Sequence, residues 1–417
     1  MYDVVMLAAN PYRPGAGHQP PYLAGRHKER EAFSKLLDES VITKNLIITG
    51  LRGVGKTVLL ESLKPVAREK KWLWTSVDLS ESASVSEESL ARRIIADIAI
   101  VTSEISIPLE QKQSIGFTGD EETTQQKLNF HFLVDYYSIL PGLVSDKLIA
   151  LFFFVWTILE QHSVKGVVFA YDEAQTMSDR AESNQFPLST LLVIFQSIQR
   201  KNIPFLLVLT GLPTLQTKLI EARTYSERMF TTLTLGSLTP EESREAIVTP
   251  LTQLQPKALP LPEQTPLVFS EKSIETIILT SGGYPYFIQF ICKEAYDALS
   301  QKIIDGVAVS VPIEAIVTKL DEDFFAARWL KATDRQQDLL KLIANLDKSE
   351  FTPKDILESV HSKTRPFKQA AQVIKMLGDL TESGLIYKNK RGVYSFAVPM
   401  LGDYIRRNYC NNKTLAS

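Results

Sequence analysis

The sequence predicts an α/β protein: a parallel sheet with helices on both faces, a small helical lid, and a C-terminal winged helix-turn-helix. Three observations predict it. Short apolar runs alternate with helical stretches through the first half of the chain. A glycine-rich loop follows the first of those runs and opens a helix. The last part of the chain is basic and reads as helices followed by a hairpin.

The strands come first. Asn45 to Thr49 is an apolar run ending at a glycine, as a buried strand does. A helix near Arg26 to Asp38 precedes it, and another should run from Lys56 to about Lys70. Trp72 to Asp78, Gly166 to Tyr171, Phe205 to Leu209 and Thr231 to Leu235 supply four further strands. Their alternation with helices implies a parallel sheet, with ligands at the strands' C-terminal ends. The stretch from about Glu81 to Gln161 is mostly helical in pattern and long for one crossover; Gln111 to Gln126 within it reads as a loop. Leu148 to Leu159, LIALFFFVWTIL, is twelve residues of nearly unbroken apolar sequence. That falls short of the ~20 a spanning helix needs, so a buried helix is expected and no membrane partner.

Beyond the sheet, Thr239-Pro240-Glu241-Glu242 starts a helix with an N-cap and a proline at the first position. Helices near Ser273 to Ser281 and Pro285 to Gln301 make the lid. The expected domains are an arm (1–22), an α/β core (23–237, with a helical insert at about 81–161), the lid (238–330) and the winged-helix domain (331–417). The length of 417 residues agrees with two or three domains of roughly 150 each. Hydrophobic residues are 44% and charged residues 23%, which excludes a disordered chain, a collagen-like repeat or a coiled-coil rod. The net charge of -2 gives no global field toward nucleic acid or membrane. Two distant cysteines, Cys292 and Cys410, exclude a disulfide framework or a zinc knuckle and suggest a reducing compartment. The opening MYDVVMLAANPYRPG lacks the basic and apolar regions of a signal peptide, so the cytoplasm is the expected location.

Gly50-Leu51-Arg52-Gly53-Val54-Gly55-Lys56-Thr57 fits G-x-x-x-x-G-K-[ST], between a strand and a helix. Glycines let the backbone curl its N–H groups toward phosphate oxygens, and the helix adds its positive N-terminal end. Arg52, Gly53, Val54, Gly55, Lys56, Thr57 and Val58 are the expected nucleotide contacts, with Lys56 on the β- and γ-phosphates and Thr57 on Mg²⁺. The strand at 166–171 runs into Asp172-Glu173. Asp172 is the expected second metal residue, and Glu173 the base that polarises the attacking water. Thr210, at the tip of the next strand, can touch the γ-phosphate or that water; a plain capping threonine is the alternative. Arg228, just before the fifth strand, is a candidate finger in trans, against a simple surface arginine.

Together PYLAGRHKERE (21–31), GLRGVGKT (50–57), VVFAYDEAQ (167–175), LVLTGLPTL (207–215), SERMF (226–230), LTPEE (238–242) and GGYP (282–285) resemble AAA+ P-loop ATPases of the additional-strand, catalytic-glutamate branch (ASCE). The resemblance spans roughly residues 10 to 300 and lies near origin-recognition, archaeal-type and STAND ATPases. It implies that Leu23, Gly25 and Arg26 sit beside the adenine and that Gly283 to Pro285 matches the GxP element of STAND lids. One departure stands out: the family's lid arginine is missing from helix 285–301, where Lys293 is the only basic residue. Slow turnover, or a switch that mainly binds ATP, follows. DEAQ and TGLPTL also look like segments of ATPases that regulate transposition.

From Lys331 to Ser417 there are 15 Lys and Arg against 9 Asp and Glu, a local net of +6 that leaves -8 for the rest. Helices are expected at 334–344, 353–359 and 366–383, then a hairpin at 385–396 turning at 388–392, then a helix at 401–408. This pattern resembles a winged helix-turn-helix. Arg365, Lys368, Gln372 and Lys375 would lie on a recognition helix, with Lys388, Lys390 and Arg391 on the wing, and all are candidate DNA contacts. Winged helices also serve as protein docking modules. The leading reading is therefore an ATP- and Mg²⁺-dependent homo-oligomer acting on DNA. Its rival is a nucleotide-gated scaffold for a nuclease, a transposase or a defence effector. A kinase-like transfer is disfavoured, because a glutamate beside Asp172 suits water activation.

Overall fold

A computed structural model describes residues 9–15, 17–79, 81–110, 123–253, 269–304, 311–359, 369–390, 392–398 and 400–410. The chain divides into two compact units. One holds His27–Thr49 and Leu59–Thr234; the other holds the N-terminal residues to Arg26, the loop 50–58, and everything from Leu235.

The sheet unit contains five strands: β1 (Asn45–Gly50), β2 (Trp72–Asp78), β5 (Gly166–Asp172), β6 (Phe205–Gly211) and β7 (Phe230–Leu235). Their order is β2-β5-β6-β1-β7, so the strand ending in Asp172 is separated from the loop strand by one neighbour. The pairs β2–β5, β5–β6 and β6–β1 are parallel, and Asp78 stands opposite Asp172 in register. Every residue of β1, β5 and β6 is buried, so both faces of the central strands are covered. Helices α1 (His27–Asp38), α2 (Lys56–Glu69), α3 (Glu87–Thr102), α4 (Phe130–Ile139), α5 (Val144–Leu159), α6 (Pro187–Gln199), α7 (Thr214–Ala222) and α8 (Ser226–Met229) complete it.

The apolar run at 148–159 lies in α5, as expected for a helix, and buries Leu148, Leu151, Phe152, Val155 and Leu159. Phe152 is fully buried and sits 5.3 Å from Phe169 and Phe205 and 5.7 Å from Phe195, ring centre to ring centre. Among the described residues no helix is long and apolar enough to cross a membrane. The insert departs from expectation at one place. Residues 123–126, read as part of a loop, lie in β4 (Thr123–Lys127), which pairs antiparallel with β3 (Ser106–Glu110). TTQQK has no apolar alternation to announce a strand; cross-strand pairing decides its conformation. Residues 111–122 of that expected loop lie outside the described residues.

The second unit has its own core. It contains α9 (Pro240–Gln253), α10 (Glu271–Ser281), α11 (Pro285–Ile304), α12 (Ile313–Leu320), a wide π turn at Asp321–Phe325, and α13 (Ala326–Trp329). Then come α14 (Asp334–Asn345), α15 (Pro353–Glu358), α16 (Ala370–Glu382), strands β8 (Ile386–Lys390) and β9 (Val393–Phe396), and α17 (Leu401–Ile405). The stretch 313–329 was not anticipated as helix. Lys388 and Lys390 belong to β8 and not to the turn, and the last helix gives way to a π turn over Arg406–Cys410. Phe351 and Tyr394 exchange two backbone hydrogen bonds of 2.9 Å, adding a third rung beside the hairpin. Thr352 and Asp355 form a capping box at α15, and the Lys348 ammonium and Thr352 hold the Asp355 carboxyl down at about 2.

Residues 10–13 of the expected arm are stitched into this unit. Asn10 donates to the Lys293 carbonyl at 2.9 Å and to Asp297 at 2.7 Å, and the buried Tyr12 hydroxyl donates to the Ile247 carbonyl.

The packing of α5 makes a clear prediction. Phe152→Ala should cost about 3–5 kcal/mol of stability, the range for emptying an aromatic core site. Phe153→Ala, at a residue 50% exposed, should stay within about 0.5 kcal/mol. Chemical denaturation of both variants checks it.

Candidate functional site

The loop 50–58 is the best-built feature of its unit. Gly53 and Gly55 have φ of 84° and 88°, conformations that other residues rarely adopt. A Cβ on Gly55 would meet nothing within 4 Å, so its backbone conformation and not crowding calls for glycine there. Lys56, 8% exposed, begins α2 and donates to the carbonyls of Gly50 at 3.1 Å and Leu51 at 3.0 Å. Two further donors hold the loop. Arg26 Nη2 reaches the carbonyls of Val54 at 3.1 Å and Gly236 at 2.7 Å, and the Tyr286 amide donates to the Gly53 carbonyl at 3.2 Å.

Most of the expected nucleotide residues of this unit therefore converge. Gly25 and Arg26 are buried, both with φ of 63°, and Leu23 is half-buried. Pro285 is the first residue of α11, and the neighbouring Tyr286 meets the loop. Gly283 has φ 73°, and a Cβ there would lie 2.4 Å from the Leu238 carbonyl, so the turn before α11 needs glycine. Val54 is buried, Arg52 and Gly53 are exposed, and Gly55, Thr57 and Val58 are half-buried.

Sequence reasoning missed Arg328, because it searched for a lid cation only on helix 285–301. Arg328 stacks on Phe324 at 3.8 Å and donates to its carbonyl at 2.5 Å. The Phe324 ring lies 5.2 Å from that of Tyr286. Burial, and secondarily the nearby charge of Arg52, hold the Arg328 guanidinium below its ordinary range. Lys293, by contrast, is engaged by Asp297 at 2.8 Å and Glu294 at 3.2 Å.

In the sheet unit the parallel strands bring acids to one edge. Asp172 is buried and accepts from the Thr210 hydroxyl and from the Glu173 amide at 2.8 Å. Thr210 is fully buried, and its hydroxyl serves Asp172. Glu173 is exposed, with φ of 51°, and Gln175 donates to its carboxylate. Burial, then Asp172 and Glu173, raise the Asp78 carboxyl above the usual range. Arg228 is exposed on α8, directly before β7.

The DNA candidates divide. Arg365, Lys368 and Arg391 lie outside the described residues, as does the Lys390 side chain. Gln372 is half-buried on α16, Lys375 is exposed three residues on, and Lys388 is exposed on β8. Ile374 is 51% exposed between the first two. Asn389 of the hairpin donates to Glu350 at 2.6 Å, which places an acid beside the wing.

Comparison with known proteins places this architecture. The Aeropyrum pernix ORC2 protein in its ADP form aligns over 94% of this chain and 97% of its own, with a TM-score of 0.53 and 15% identity. The chain shares the fold of this ORC2 protein. The same ORC2 protein in ADPNP-ADP complexes aligns over 94% and 96%, with a TM-score of 0.51 and 14% identity. The A. pernix ORC1 protein in complex with DNA aligns over 93% and 94% at 13% identity, with a TM-score of 0.45. Residues 322–405 match a family described as a domain of unknown function, DUF8462. No curated protein is similar enough in sequence to count as a match.

The loop's anchoring is testable without ligand. Arg26→Ala leaves two acceptors in its own unit without their donor, and should cost about 1.5–3 kcal/mol, the range for hydrogen bonds to charged groups. Thermal melts, with hydrogen exchange read over residues 50–58, check both the size and the place of the loss.

Proposed function

We propose that this protein is an ATP-binding switch that hydrolyses ATP slowly, associates with further copies of itself when nucleotide is bound, and acts on DNA through its C-terminal helices and hairpin. The observation that carries the nucleotide reading is the loop 50–58. Its two left-handed glycines and the Lys56 ammonium at the start of α2 suit a polyphosphate. The ADP and ADPNP named with the ORC2 structures support it by likeness of fold.

The chain's own groups suggest the division of labour. Lys56 would move from the Gly50 and Leu51 carbonyls onto phosphate oxygens. Thr57 and Asp172 would hold Mg²⁺, which supplies positive charge to the transferring phosphate. Glu173 would orient water and take its proton as the water oxygen bonds to the γ-phosphorus and ADP leaves. Thr210 would act through Asp172, whose carboxylate it fixes. Arg52 and Arg328, two like charges in one unit, would gain from an anion between them. Arg228 would complete the site of a neighbouring copy. The engagement of Lys293 by acids favours low turnover. Residues 334–396 fit a winged helix-turn-helix in element order, with Lys375 and Lys388 as its described basic contacts.

Lys56→Ala should lose at least tenfold in affinity for a fluorescent ATP analogue with Mg²⁺. Glu173→Gln should keep that affinity and lose about 100-fold or more in single-turnover hydrolysis, the scale of a removed general base. Unchanged binding and turnover in both would sink the reading. For DNA, anisotropy of a labelled duplex at two salt concentrations should reveal ATP-dependent binding. Lys375→Ala/Lys388→Ala should weaken that binding and flatten its salt dependence. Flat traces for the unmodified protein would move the C-terminal region to the scaffold reading.

A further inference from the structure

Gln175 lies two residues beyond Glu173 and has no role in the chemistry above. Its side chain is nevertheless one of the most constrained at the strand tips. The carboxamide nitrogen donates to one oxygen of Glu173. The carboxamide oxygen accepts the backbone N–H of Leu212 at 3.0 Å, immediately after β6. The main-chain carbonyl of Gln175 accepts the Lys218 ammonium of α7 at 2.5 Å. The short helix that carries it is fixed in turn by the Thr176 hydroxyl on the Leu79 carbonyl at 2.8 Å and the Thr176 amide on the Glu173 carbonyl at 2.9 Å.

Two local features suit this clasp. Glu173 has a left-handed φ of 51°, a conformation uncommon for a residue with a Cβ. Gly211 ends β6 where a Cβ would stand 2.6 Å from the Gln175 carboxamide oxygen. A side chain at 211 would displace the amide. The same strand carries Thr210, which holds Asp172. One strand tip thus fixes both acids, Asp172 directly and Glu173 through Gln175.

We propose that Gln175 is a positioning residue: it bridges the end of β6 to Glu173 and holds that carboxylate in the orientation from which it activates water. A glutamine suits the task, since it donates at one end and accepts at the other across the gap between two strands. A glutamate would set two carboxylates together, and an asparagine is one carbon too short to span both partners. The inference rests on the ATPase reading, and its test separates the two.

Single-turnover hydrolysis of radiolabelled ATP is measured for the unmodified protein, Glu173→Gln, Gln175→Met, Gly211→Ala and the double variant Gln175→Met/Gly211→Ala. Affinity for a fluorescent ATP analogue and melting temperature are recorded for each. Methionine keeps the length of the side chain and removes its hydrogen bonds. Gln175→Met should lower the rate about tenfold with analogue affinity and melting temperature little changed. Gly211→Ala, which pushes the carboxamide aside and also crowds the buried Leu215, should lower the rate similarly, with a modest fall in melting temperature. The double variant should be no slower than either single one, because both remove one interaction. Additive losses approaching 100-fold, or full activity in Gln175→Met, would overturn the positioning role while leaving the ATPase reading intact. If instead the unmodified protein does not hydrolyse ATP, or Glu173→Gln hydrolyses it at the full rate, the ATPase reading fails and the inference falls with it.

Discussion

A loop that curls its amide groups inward must send carbonyl groups outward, and buried carbonyls need donors. The unit that holds residues 50–58 is organised around that need. Lys56 serves the carbonyls of Gly50 and Leu51, Arg26 serves Val54, and the first turn of α11 serves Gly53. The donors come from three separate parts of the sequence. The left-handed turn at Gly25-Arg26 and the glycine at 283 are backbone devices that bring two of them to the loop.

The sheet unit answers a different constraint. A parallel sheet with buried central strands can expose polar chemistry only at its ends. Asp78, Asp172 and Glu173 gather there because β2 and β5 run in register to the same edge. Burial first, and then the like charges of Asp172 and Glu173, raise the Asp78 carboxyl. Thr210 and Gln175 donate hydrogen bonds to Asp172 and Glu173. The core beneath is aromatic, with Phe152, Phe169, Phe195 and Phe205 interlocked, so the edge stands on a stiff base.

The sequence made some of this legible and hid the rest for physical reasons. The strands at 45–50, 166–172 and 205–211 were readable because strands buried on both faces are continuous apolar runs. The loop was readable because its geometry demands glycine and lysine at fixed spacing. The hairpin of Ser106–Glu110 with Thr123–Lys127 was not, since partner choice and not composition makes TTQQK a strand. Arg328 was hidden for another reason. It lies 43 residues beyond Pro285, and only folding brings it near Arg52. The roles of Arg26 and Gln175 were hidden likewise, because a hydrogen bond to a backbone carbonyl or amide leaves no mark on the partner's residue type.

Within the loop-bearing unit, the lid and the C-terminal helices share one hydrophobic core. An aromatic chain runs through it. Tyr286, whose amide meets Gly53, lies 5.2 Å from Phe324; Phe324 lies 5.0 Å from Phe325; Phe325 stacks on Tyr404 of α17 at 5.4 Å. Asp321, at the head of that π turn, accepts from Arg407 at 2.6 Å and from Asn408 at 3.0 Å. The matched family region opens at residue 322, beside Asp321, and so keeps the π turn together with the C-terminal helices. Close-packed aromatic rings transmit displacement and do not absorb it. Among the described residues these rings link the first turn of α11 to α17 in one continuous set of contacts, so a displacement of α11 is felt at α17.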